Sequence, residues 1–250
     1  MKLNKEKHIG RVLFIVEGSR TEFSILRRIF CNLMGYSYIE KRRNRPAYFT
    51  SRQDRYSQVA VVNTRESNIR DISGNEAYLD EVFDVLREQY RFPADQSAIY
   101  YLFDRDPESN TDPALIEGYI NSLANPYDND DFYKAGQLLL SYPSIESYII
   151  SNFKDVNALR FPLGKDAKTY IGLNTDIQMN KISEDTVIKA AHAFLEYLEE
   201  EQVEYDIDAF APASCAVFTK QETEYLSGKG FRLFSMLTLA FLQMGILELE

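Results

Sequence analysis

Four short runs of nearly uninterrupted apolar residues stand out along the chain: RVLFIV (11–16), QVAVVN (58–63), SAIYYLF (97–103) and GQLLLS (136–141). Runs without polar alternation suit strands buried on both faces, as in parallel sheets. Between them the period lengthens to that of a helix. Phe23, Leu26, Ile29, Phe30 and Leu33 recur at helical spacing, with Ser19 or Thr21 as the expected cap. Tyr78, Leu79, Val82, Phe83 and Leu86 mark an amphipathic helix over 76–90, and further helices are expected over 112–123 and 144–153. Alternating strands and helices define an α/β class, with a mainly parallel sheet of about four to five strands flanked by helices.

Past residue 154 the pattern changes. A long helix is expected over 181–204, acidic at its end (Glu196, Glu199, Glu200, Glu201, Glu204), and one or two more over 221–247. The uncharged stretch 233–247 falls short of the roughly 18 to 20 residues that span a bilayer, so it reads as a buried helix. Its apolar side chains (Phe231, Leu233, Phe234, Met236, Leu237, Leu239, Phe241, Leu242) suit either a core or a homodimer seam. The expected division is an α/β unit over 1–170 with an insertion at 36–57, and a C-terminal helical region, 171–250, that packs on it or mediates assembly.

Composition narrows the chemistry. The 250 residues are 45% hydrophobic and 26% charged, which excludes disordered, collagen-like and rod-like chains. Two cysteines (Cys31, Cys215) and two histidines (His8, His192) are too few for a disulfide framework or a soft-metal site. A metal would have to be held by oxygen, which selects Mg²⁺, Mn²⁺ or Ca²⁺. The opening MKLNKEKHIGR is polar and basic, unlike a signal peptide, and a cytoplasmic protein with no membrane partner is expected.

The net charge of −10 is unevenly placed. Residues 1–58 hold 13 Lys and Arg against 5 Asp and Glu; the remainder holds 15 against 33. Such asymmetry can steer a polyanion to one face, or the cations simply balance acids nearby in the fold. The densest stretch, 36–56, interleaves Lys41, Arg42, Arg43, Arg45, Arg52 and Arg55 with Tyr36, Tyr38, Tyr48, Phe49 and Tyr56. Cations hold phosphates and aromatic faces stack unpaired bases, so it reads as a nucleic-acid contact or as an exposed hairpin.

Acids recur where the strands should end. Glu17 follows the first run, Asp104 and Asp106 the third, and Glu146 the fourth; Glu22 lies one turn into the first helix. Open α/β sheets form sites outside the carboxyl ends of their strands. Clustered carboxylates repel unless a cation neutralises them, and Mg²⁺ does so with few protein ligands. Taken singly, the acids also read as a solvated turn or as first-turn residues favoured by a helix dipole.

VLFIVEGSRTEFSIL (12–26) and YYLFDRD (100–106) resemble the two acidic motifs of Toprim domains, found in topoisomerases, primases and several nucleases. The spacing EGSRTE and the segment SYPSIESYI (141–149) are most similar to OLD-family and RloB-like Toprim proteins, although Tyr142 stands where that pattern has Asn. The resemblance spans roughly residues 10–170. It implies a nuclease that uses Mg²⁺ or Mn²⁺ to cleave DNA, tRNA or other RNA. Glu17, Asp104, Asp106 and Glu146 would be metal ligands, and Glu17, Glu22 and Lys165 catalytic, with Lys168 a substitute for Lys165. It also implies antiphage defence under a separate ATPase regulator, since no G-x-x-x-x-G-K-[ST] loop is present. A primase-like Toprim enzyme and a non-catalytic nucleic-acid or partner-binding module are the alternatives.

Overall fold

A computed structural model describes residues 1–39, 47–64, 68–70, 72, 76–127 and 136–249. Its centre is an α/β sheet. Strands β2 (Arg11–Val16), β5 (Gln58–Asn63), β6 (Ala98–Asp104) and β8 (Gly136–Tyr142) run parallel in the spatial order β8-β6-β2-β5. All four apolar runs lie here, and side chains such as Val12, Phe14, Val61, Tyr100 and Leu139 are wholly buried, as strands covered on both faces require.

Antiparallel strands extend the sheet into a mixed one of eight strands. β3 (Ser37–Ile39) and β4 (Ala47–Thr50) continue it beyond β5. On the other edge, β7 (Ala124–Asn125) pairs with the start of β8 and β11 (Phe234–Ser235) with its end. Among the small strands, β1 (Lys2–Leu3) pairs with β12 (Leu247–Glu248), and β9 (Arg160–Phe161) with β10 (Phe231–Arg232).

Helices flank the sheet. α1 (Thr21–Arg27) winds on into a wider turn over Arg28–Leu33; α2 (Glu76–Tyr90), α3 (Pro113–Ser122) and α4 (Glu146–Phe153) follow their strands as the periodicity predicts. Asp112 caps α3 by accepting the Leu115 N–H at 3.1 Å, with Pro113 in the first turn. Neither Ser19 nor Thr21 caps α1; Arg20 holds that position without a side-chain cap.

The C-terminal part departs from expectation. α5 (Gly164–Leu173) has no counterpart in the sequence reading, and the long acidic helix is α6 (Glu184–Glu200), capped by Ser183. The 221–247 segment is not one or two long helices. α7 (Ala211–Leu226) begins earlier and ends at Gly228 and Gly230, both at positive φ (83° and 78°), which L side chains rarely adopt. Strands β10 and β11 and the short α8 (Leu237–Gln243) follow. All eight apolar side chains named for this segment are buried in the chain's own core, so none is left to form a homodimer seam. Among the described residues, no helix is long and apolar enough to cross a membrane.

Candidate functional site

The topology itself makes a crevice. From β2 the chain crosses to β5 on one side, then returns past β2 to β6 on the other. Two neighbouring parallel strands whose connections leave in opposite directions leave a gap at their carboxyl ends, the switch point of a doubly wound sheet. β2 delivers Glu17 to that gap and β6 delivers Asp104. The first turn of α1 adds Glu22 from one side, and the first turn of α4 adds Glu146 from the other. These four carboxylates line one cleft of about 280 Å³ with Gly18, Arg20, Ile145 and Lys168.

Each acid is tethered by a protein donor. Glu17 Oε2 accepts the Asp104 N–H at 2.8 Å and Asn110 Nδ2–H at 3.1 Å. Asp104 Oδ1 accepts the Ile145 N–H at 2.8 Å. Glu22 Oε1 accepts the Gly18 N–H at 2.9 Å, and Glu146 Oε2 accepts the Ser144 hydroxyl at 2.8 Å. The second oxygens of Asp104, Glu22 and Glu146 take no hydrogen bond from another described residue. A Cβ at Gly18 would lie 2.7 Å from both Glu22 carboxyl oxygens, so a larger residue there would push that carboxylate aside.

The electrostatics follow from crowding. Glu17, Glu22 and Glu146 are only 7%, 5% and 5% exposed. Burial, opposed by the Asp104 and Asn110 hydrogen bonds and reinforced by Glu22, pushes the Glu17 carboxyl up to about 7. Burial, then repulsion from Glu17, Glu22 and Glu146, holds Asp104 well above its ordinary value. Burial raises Glu22 as well; Glu146 adds to that and Lys168 opposes it. Among the described residues neither Arg20 nor Lys168 makes an ion pair within 4.0 Å, and none of the described ion pairs involves a cleft carboxylate.

Asp106 is not among the residues lining the cleft; its Oδ2 accepts the Gly164 N–H at 3.1 Å and its Oδ1 the Glu108 N–H at 3.1 Å, so it ties its loop to the start of α5. Lys165 is exposed and bonded to Glu108 at 2.5 Å. Lys168, one turn further along α5, is the lysine at the cleft. Lys41, Arg42, Arg43 and Arg45 lie outside the described residues. Arg52 and Arg55 sit in the turn between β4 and β5, at the amino ends of the parallel strands. A six-residue strand separates that edge from the cleft by about 20 Å. Of the interleaved aromatics, Tyr36, Tyr48 and Phe49 are buried in the core, while Tyr56 is exposed under Arg55.

The tethers were not legible in the sequence. Asn110 and Ser144 orient site carboxylates, yet both sit in loops with no periodicity to mark them. Ser144 lies two residues before Glu146, as a local side-chain tether requires; no comparable signal points to Asn110.

The donor set suits a hard divalent cation: all oxygen, negatively charged and partly uncommitted. Among the described residues no group of three His, Cys, Asp or Glu side chains is set to hold one ion. Mg²⁺ asks for less, binding through one or two carboxylates with water filling its shell. Comparison with family models, curated proteins and solved structures finds no match to this chain.

Proposed function

We propose that this protein is a divalent-cation-dependent phosphodiester hydrolase acting on nucleic acid, of the Toprim type its motifs resemble. One observation carries the reading: four carboxylates from four separate segments converge on the switch-point cleft, three with an oxygen that takes no hydrogen bond from another described residue. A buried like-charge cluster is unfavourable by itself and becomes favourable when a cation enters. The antiphage role and the separate ATPase regulator rest on the resemblance of EGSRTE, FDRD and YPSIE alone.

Glu17 and Asp104, joined through the Asp104 N–H, would hold the ion, with Glu146 completing the set. Bound there, Mg²⁺ or Mn²⁺ supplies an activated water and stabilises charge on the phosphodiester. Glu22, above its ordinary pKa, is placed to accept a proton from water. Lys168 on α5 and Arg20 before α1 present positive charge to a phosphate oxygen from two walls of the cleft. Lys165, occupied by Glu108, leaves that role to Lys168.

The test is cleavage of plasmid DNA, single-stranded DNA and total tRNA with Mg²⁺ or Mn²⁺, comparing wild type with Asp104→Asn. Expected is wild-type cleavage of at least one substrate, abolished by EDTA and by the substitution. Equal cleavage by Asp104→Asn, or none by wild type on any substrate, overturns the reading.

A further inference from the structure

The tether on Glu17 leads away from the cleft to the C-terminal helices. Asn110 is 1% exposed, and each of its polar groups is engaged. Its side-chain Oδ1 accepts the Ile69 N–H at 3.0 Å. A backbone donor at that oxygen fixes which way the amide faces, so Nδ2 must point the other way. There it donates to Glu17 Oε2 at 3.1 Å and to the Asp104 carbonyl at 2.6 Å. Its own N–H donates to the Asp106 carbonyl at 2.8 Å. Its carbonyl accepts Arg105 Nη1–H at 3.0 Å.

Arg105 lies between the two aspartates of the FDRD motif but is buried, 2% exposed, and points away from the acids. Its Nε and Nη2 donate to the two oxygens of Glu222 on α7, at 2.6 and 2.8 Å, a bidentate fork. The rings of Phe231 and Phe218 lie 5.5 and 6.0 Å from its guanidinium carbon. A continuous chain thus runs from Glu222 through Arg105 and Asn110 to Glu17.

We propose that Asn110 is the positioning residue of this cleft, held by the Arg105–Glu222 fork, and that it ties down one Glu17 oxygen so that the carboxylate keeps a single orientation toward the cation. The part of this inference that concerns the cation rests on the metal reading above; the contact itself does not. A freely rotating Glu17 would have to be ordered as the ion binds, which weakens binding. Second partners of metal ligands typically change affinity by about 10- to 100-fold when removed. The fork explains why a residue from the C-terminal region matters to a cleft built on strand ends.

Two readouts separate the contact from its consequence. The first is a double-mutant cycle of Glu17→Gln and Asn110→Ala on urea unfolding at pH 8 in EDTA. A hydrogen bond to a charged group should give a coupling of about tenfold in the unfolding constant. The second is Mn²⁺ affinity. Asn110→Ala and Asn110→Asp, which keeps the shape and the Ile69 contact but loses the donor, should each weaken binding about tenfold or more. Asn68→Ala, which removes a 2.9 Å bond to the Ser109 carbonyl in the same loop and the 2.9 Å bond accepted from the Arg70 N–H but leaves the Glu17 contact alone, should stay within about twofold. Glu222→Gln, a milder change at the far end of the chain, should fall between them. Additive unfolding effects overturn the inference whatever the metal does. So does a coupled cycle with wild-type Mn²⁺ affinity in both Asn110 variants, since Asn110 would then be a loop anchor only. A wild type that binds no Mn²⁺ overturns the metal reading instead, and the cycle alone then decides whether Asn110 holds Glu17.

Discussion

Acidic side chains gather in two places, and the two are built on opposite principles. At the end of α6, Glu200 and Glu201 both bond to Arg232, which is buried, stacked 4.9 Å over Tyr197 and bracketed by Gln221 through its backbone N–H and carbonyl. Lys220 adds a second cation to Glu201 at 3.7 Å. Nearby, Glu222 has Arg105. In the cleft, Glu17, Glu22, Asp104 and Glu146 line one space, held by N–H and O–H donors, and no cation among the described residues pairs with them within 4.0 Å. Paired acids brace a fold. Tethered acids with no cation among the described residues weaken it, which is the ground on which a bound cation is proposed for the cleft.

The largest break in that contrast is chemical. Asp104→Asn keeps the side-chain shape and removes a charge from the candidate metal site. Its cleavage rate should fall at least about a thousandfold, roughly 4 kcal/mol of transition-state stabilisation, with the unfolding transition retained. Single-turnover rates on the substrate that wild type cuts best check this; a drop under tenfold would place the chemistry elsewhere.

On the paired side the effect falls on stability. Arg105→Met leaves the largely buried Glu222 carboxylate without its fork, and should destabilise the protein by about 3 to 5 kcal/mol. Urea unfolding reads it directly. A loss below about 1 kcal/mol would mean that water replaces the guanidinium without penalty.

An unpaired acid should respond in the reverse direction. Glu17 has a folded-state pKa of about 7 against an ordinary 4.5, so the folded protein holds a proton that the unfolded chain has released. Its contribution is fully present below about pH 4.5 and is lost as pH rises through 7. Glu17→Gln removes that loss. The variant should match wild type near pH 4.5 and exceed it by about 2 to 3 kcal/mol at pH 8 in EDTA. Saturating Mg²⁺ should narrow the gap by stabilising wild type alone. A pH-independent gap would show that Glu17 is not protonated in the fold.

How much of this was legible follows from what each segment buries. Parallel strands are covered on both faces, so RVLFIV and QVAVVN are visible as runs whose observed bounds match the sequence reading. The strand-end rule points to Glu17, Asp104 and Glu146, with Glu22 one turn into the helix that follows, and equally to Asp106, which does not line the cleft. The segment 233–247 is buried on all sides, and a wholly apolar stretch shows no period that separates strand from helix; Gly228 and Gly230, which end α7, were the available signal. α5 was invisible for the opposite reason: it buries only Gly164 and Ala167 and so writes no apolar stripe. Motif spacing draws Asp106 and Lys165 toward the cleft, but Asp106 accepts the Gly164 N–H at the start of α5, and Lys165, on that helix, pairs with Glu108. Asn110 depends on partners at Ile69, Arg105 and Glu17, and no local pattern encodes such a convergence.

The smallest effect concerns the basic stretch. β3 ends at Ile39 and β4 begins at Ala47, both toward the carboxyl ends of the parallel strands where the cleft lies. Lys41, Arg42, Arg43 and Arg45 fall in sequence between those two ends. Arg52 and Arg55 instead occupy the opposite edge, where Arg52 donates to Ser37 Oγ at 3.0 Å and Arg55 to Tyr56 Oη at 2.6 Å. A strand's length of about 20 Å exceeds the Debye length of about 8 Å at physiological salt, so charge on that edge is screened from the cleft. Removing one cation from a phosphate lowers the slope of log affinity against log salt by about 0.7 to 0.9. Replacing Arg42, Arg43 and Arg45 together by Ala should therefore flatten the slope by about 2 units. Replacing Arg52 and Arg55 by Ala should change it by less than about half a unit. Fluorescence-anisotropy titrations across a salt series, with both variants beside wild type, make the comparison. Equal flattening by the two variants would mean that nucleic acid wraps the sheet edge from end to end rather than approaching at the strand ends.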